Sequence, residues 1–203
     1  MADDQPSWRD IGELAALVGH YAWLEEQIFT LTGAWASGSG VSGSAESREG
    51  AARAAESQVW SAAASRRHGL LAARWVERLP VRAGVDAGAL VTAPSADLAG
   101  AFAALGEVED ALVGVVVVAG TVLPWLGGIY LAHLRAASAV TESSVADVLM
   151  EARRIIVSET TGGQSVVRNL GDESELQTRT GDLVTQFVQI VDKSCVFPAV
   201  PTS

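Results

Sequence analysis

The sequence predicts an all-α protein. Apolar residues recur at helical spacing along four long stretches, helix start and stop signals bound those stretches, and no run alternates with the period of two that a half-buried strand requires. At 203 residues the chain can bury one sizeable core, and one main unit is expected.

The first helix is expected from about Asp10 to Trp35, where Ile11, Leu14, Val18, Tyr21, Glu25, Ile28, Thr32 and Trp35 share one heptad-spaced stripe. The Gly/Ser-rich connection SGSGVSGSAESREG follows. The second helix runs from about Glu46 to Leu79 and stops before Pro80, because a proline disfavours helical geometry in the residue preceding it. Residues 81 to 106 form a long crossover in which Ser95 has the position of an N-cap for a short helix. The third helix spans about Glu107 to Ala137. The fourth starts near Thr141, a plausible cap, and reaches about Leu170. Residues 1–170 thus read as a four-helix bundle, and the long connection lets its second and third helices run parallel. Residues 171–203 read as a C-terminal extension, packed on the bundle or partly disordered, with a short helix at DLVTQFVQIV.

Composition narrows the function classes. Net charge is −10, from 24 acidic and 14 basic residues, and no basic cluster exceeds a pair, so a nucleic-acid partner is not expected. The single cysteine, Cys195, supports neither a disulfide framework nor a cysteine-based zinc site, and a reducing, cytoplasmic setting fits. MADDQPSWRDIG lacks the basic and apolar regions of a secretory signal, so no export is expected. ALVGVVVVAGTVLPWLGGIYLA, residues 111 to 132, is uncharged and long enough to span a bilayer. Its proline, its glycines and its amphipathic neighbours favour the central helix of a bundle over a membrane span. Its charge-free surface also points to a homodimer.

Rotation by about 100° per residue brings certain ionisable groups to the interior. Glu25 lies in the apolar stripe of the first helix. His68, in SRRHGLLAARWVERLP, shares a face with Ser61, Ala64, Leu71 and Trp75, and Tyr130 and His133 lie opposite the charged side of the third helix. Glu159 sits among Val148, Ala152, Ile156 and Val166 on the fourth. Glu25, His68 and Glu159 fall about 12 to 17 residues from the same end of the bundle and His133 about five, so the first three share a level within about two turns. Buried charges are costly unless they neutralise one another or hold a metal, so a cluster is expected: a metal centre, a proton-transfer pocket or a structural network.

Taken in order, HYAWLEEQIFTLTGAW, SRRHGLLAARWVERLP and LPWLGGIYLAHL resemble the ferritin-like superfamily over about residues 10 to 170. The resemblance implies a ferritin-like four-helix bundle. Di-iron members of that superfamily draw ligands from a Glu on the first helix, Glu-x-x-His on the second, a Glu on the third and Glu-x-x-His on the fourth. Glu25 matches the first ligand, His68 the histidine of the second motif and Glu159 the glutamate of the fourth. Ser65 and Gly162 replace their motif partners, and the third helix offers Tyr130 and His133. The resemblance therefore implies an incomplete metal set of Glu25, His68, His133 and Glu159.

Three functions follow as expectations. One is a tailoring enzyme, of oxygenase type, acting on a small, largely apolar metabolite with bound iron or manganese, with Glu25, His68, Tyr130 and Glu159 as catalytic residues. The second is a metal-free enzyme using the same residues for acid/base, rearrangement or cyclisation chemistry. The third is a non-catalytic helical binding or assembly protein with a buried polar network. No nucleotide-binding or serine-hydrolase motif occurs in the chain.

Overall fold

A computed structural model of the chain describes residues 10–38, 48–80, 86–170 and 173–193, and these are helical with loops and no strand. Helix α1, Ile11–Ala36, opens with a capping box. The Asp10 carboxylate accepts from the backbone N–H of Gly12 and Glu13, and the Glu13 side chain accepts from the Asp10 N–H. Helix α2 is Arg48–Val76, its end tightening through Arg78 N–H to Trp75 and Leu79 N–H to Val76 before Pro80. The crossover holds a 3₁₀ turn, Ala87–Leu90, and helix α3, Ala96–Gly106, which Ser95 caps through the Leu98 N–H. Most of the Gly/Ser-rich connection, residues 81–85 of the crossover and the tail with Cys195 lie outside the described residues.

The expected third helix runs from Ala111 to Ala136 and carries a π-helical turn within it. Helix α4, Ala111–Val117, capped by Asp110, passes through a π-helical turn, Val118–Val122, into helix α5, Leu123–Ala136. Pro124 supplies the reason: it lacks an N–H and its ring crowds the preceding turn, which the wider π geometry accommodates. The segment Ala111–Ala136, mean hydropathy 2.1, is long and apolar enough to cross a membrane, and it packs against α1, α2, helix α6 (Ser143–Leu170) and helix α7 (Glu173–Lys193). Helix α6 starts at Ser143 rather than Thr141, with the Glu142 carbonyl accepting from the N–H groups of Val145 and Ala146. The C-terminal helix α7 is 21 residues long, twice the expected stretch. It packs on α3 and α4 through Leu176, Thr180 and Phe187, the last edge-on to Phe102 and Trp125.

Side-chain pairings fix the helix directions. His68 meets Glu25 while Ser65 reaches the Phe29 carbonyl, so α2 runs antiparallel to α1. Tyr130 meets Glu25 while His133 meets Tyr21, so α5 is antiparallel to α1 as well. Arg67 with Glu159 and Arg74 with Glu151 make α6 antiparallel to α2. Helix α2 and the α4–α5 segment therefore run in the same direction, with the crossover returning the chain between them. The crossover is seated on α1 at Gly19, where a Cβ would lie 2.0 Å from the Leu90 carbonyl oxygen. Beside it, a ring nitrogen of His20 bonds the Thr92 carbonyl at 2.9 Å.

Candidate functional site

Helix packing places two polar chains in the apolar centre. In the first, Glu25 on α1 receives two donors, the Tyr130 hydroxyl at 2.7 Å and Nδ1 of His68. All three side chains are fully buried, with relative exposure of 0%. A carboxylate already accepting from Tyr130 makes Nδ1–H of His68 the second donor, and in a neutral imidazole Nε2 then carries the lone pair. That nitrogen is buried and has no hydrogen-bond partner among the described residues.

The second chain lies nearer the turn between α5 and α6. Tyr21 and Nδ1 of His133 are 3.0 Å apart, and Nε2 of His133 lies 2.7 Å from Glu142. Glu142 accepts the Nε2 proton and Nδ1 accepts the Tyr21 hydroxyl, so both ring nitrogens are engaged. The two chains meet through aromatic rings: Tyr21 and Tyr130 are edge to face at 4.9 Å, and Trp75 lies 5.1 Å from Tyr21 and 5.7 Å from Tyr130.

The interior is unfavourable to a phenolate. Burial first, then the charge of Glu25 and the hydrogen bond given to it, then Tyr21, hold the Tyr130 phenol well above its ordinary 10.0. The indole N–H of Trp75, which makes no hydrogen bond of ordinary geometry, opposes this weakly. The folded protein thus keeps the Tyr130 proton more tightly than the unfolded chain does. This contribution to stability is intact below about pH 10 and is lost as pH rises beyond it towards the folded value. Urea unfolding at about pH 9 to 11 is expected to give a falling stability whose slope is shallower in Tyr130→Phe. Equal slopes would mean that Tyr130 is not held in this environment.

The residues expected to share a metal are divided among separate partners. Glu25 and His68 bond each other, His133 is taken by Tyr21 and Glu142, and Glu159 forms an ion pair with Arg67. Ser65, at the position of a missing glutamate, bonds the Phe29 carbonyl at 3.0 Å. Among the described residues no three His, Cys, Asp or Glu side chains come together in a way that could hold a metal ion. His133 has no ring nitrogen left to give. The donor set does not fit iron or manganese.

Gly162 and Gly163 of α6 face packed side chains. The Trp60 indole lies over both glycines, and a Cβ on Gly163 would stand 2.3 Å from the Ala119 Cβ. Sequence reasoning missed Glu142, which sits in a turn where no periodicity marks an inward face. Its local signal is a carboxylate nine residues beyond His133, just before a helix. It also missed Arg67 as the partner of Glu159, because Arg67 belongs to an outward face of α2. No protein-family model matches the chain, and no curated protein or solved structure matches it.

Proposed function

We propose that the chain is a ferritin-like helical bundle with a metal-free acid/base site, in which His68 exchanges a proton with a small, largely apolar molecule. The parallel course of α2 and the α4–α5 segment, joined by a long crossover, supports the bundle reading. The observation that carries the chemistry is the contrast between the two histidines. His133 uses both ring nitrogens, as a structural histidine does, whereas His68 is anchored at Nδ1 and bare at Nε2. An imidazole oriented by a carboxylate through one nitrogen and open at the other is the arrangement of a general base.

In this reading Nε2 takes a proton from the substrate, whose electron pair remains on the atom that loses it. The charge gained by His68 is met by Glu25 through Nδ1–H, and Tyr130 positions Glu25 by donating to its other oxygen. Return of the proton from Nε2 to a different substrate atom completes an isomerisation or cyclisation without redox change. The complete burial of Glu25, His68 and Tyr130 favours a second reading, a sealed polar network in a binding or assembly protein.

Carbethoxylation by diethyl pyrocarbonate, read residue by residue by mass spectrometry, separates the two. The chain has three histidines, His20, His68 and His133. On the acid/base reading, Nε2 of His68 is modified in the native protein at least about tenfold faster than His133, since only the open nitrogen offers a lone pair. Equal protection of both until the protein unfolds would sink that reading and leave the sealed network.

A further inference from the structure

We propose that the Arg67–Glu159 ion pair is the gate through which a small molecule reaches His68; this rests on the acid/base reading above. A site with no exposed member must open somewhere, and the helix seams differ in what closes them. Between α1 and α2, Gly69 lies under the Phe29 ring and Gly33 against Ser65, with a Cβ at either position 3.0 to 3.1 Å from its neighbour. On the other side of α6, Gly127 approaches Ile156 and Gly163 approaches Ala119, where an added Cβ would meet them at 3.1 and 2.3 Å. Those seams are closed by side chains packed directly against glycines.

The seam between α2 and α6 is closed differently at the level of His68. Arg67 precedes His68 and lies about 100° round the helix from it. The guanidinium reaches across to Glu159, whose side chain is 2% exposed, while that of Arg67 is 48% exposed. Among the described residues Arg67 is the sole partner of the Glu159 carboxylate. A buried carboxylate is thus sealed by one long side chain that already stands half in water. Exposed side chains change rotamer on the nanosecond scale or faster, far sooner than packed helices separate. When Arg67 swings out, water follows to Glu159 and the seam opens beside His68 by about the width of a side chain. That aperture suits a small molecule. Two turns along the same seam, Arg74 and Glu151 form a comparison pair in which both members reach solvent, at 51% and 35% exposure.

The test uses diethyl pyrocarbonate on the full chain, a small neutral reagent of the kind such a gate would admit. In Arg67→Ala, His68 is expected to react about tenfold faster than in the wild type, with His133 unchanged. Glu159→Gln keeps the shape of the buried side chain and removes its need for a cation, so it is expected to quicken His68 as well. It also keeps the test open should Arg67→Ala fail to fold. Arg74→Ala is expected to leave the rate at the wild-type value. Equal His68 rates in wild type, Arg67→Ala and Glu159→Gln, with His68 still outpacing His133, would overturn the gate and leave the acid/base reading intact. A rise shared equally by His68 and His133 would mark general unfolding and overturn the gate as well. A His68 that stays unmodified in every folded variant would overturn both readings.

Discussion

Glu25→Ala is expected to lower the free energy of unfolding by about 3 to 5 kcal/mol, measured by urea denaturation near neutral pH. The carboxylate is the common acceptor of Tyr130 and His68, all three at 0% exposure, so its loss strands two buried donors at once. His68→Ala removes one of the same contacts, and a double-mutant cycle between the two is expected to give a coupling of about 1 to 3 kcal/mol. Replacing the whole set, Glu25→Leu with His68→Leu and Tyr130→Phe, leaves nothing stranded. That triple variant is expected to recover most of the loss or exceed the wild type, because apolar groups of similar size often replace buried ionic sets without cost. A recovered stability would mean that the set is not kept for folding, which is what a working site predicts. A triple variant as unstable as Glu25→Ala would instead make the network structural. A Glu25→Ala cost below about 1 kcal/mol would contradict the buried geometry itself.

The sequence made the inward residues legible and left their partners hidden. Heptad position placed Glu25 among Val18, Tyr21 and Ile28, and helical rotation placed His68, Tyr130, His133 and Glu159 inward, where all five are buried. Rotation about one helix says nothing of register against another. Distance from a helix end sets Glu25, His68 and Glu159 at one level without saying which side chains meet, and in the structure Glu159 pairs with Arg67. Long charged side chains cross seams from outward faces, so an arginine on the wrong side of the wheel can still close a buried carboxylate. The sequence marks only the second half of the C-terminal helix because the first ten residues, ESELQTRTGD, hold one apolar residue, Leu176. Those residues are helical with Leu176 and Thr180 buried and Arg179 paired to Asp110 at the start of α4. Such anchoring is tertiary, and weak local periodicity does not report it.

Gly162 and Gly163 are adjacent in α6, and alanine at the two positions is expected to act in opposite directions. At Gly162, where the ferritin-like pattern would set a histidine, an added Cβ meets the Trp60 indole at 3.5 Å, an ordinary contact. Gly162→Ala therefore gains the helix preference of alanine and is expected to stabilise by about 0.5 to 1 kcal/mol. At Gly163 the same atom would lie 2.3 Å from the Ala119 Cβ and 3.2 Å from the Trp60 ring. Neither neighbour can turn away cheaply. Ala119 is fixed to the π-helical turn, and the Trp60 N–H is bound to the Glu159 carbonyl. Gly163→Ala must push α6 off that turn, at a cost of about 3 kcal/mol, the upper end for an overpacked core. Thermal unfolding of the two variants reads the contrast directly. If both stabilise the protein, α6 does not lie against Ala119 in solution, and the glycine pair lines open space between the helices. That space would give the interior a second approach besides the seam closed by Arg67, and Arg67→Ala would then leave the modification rate of His68 unchanged.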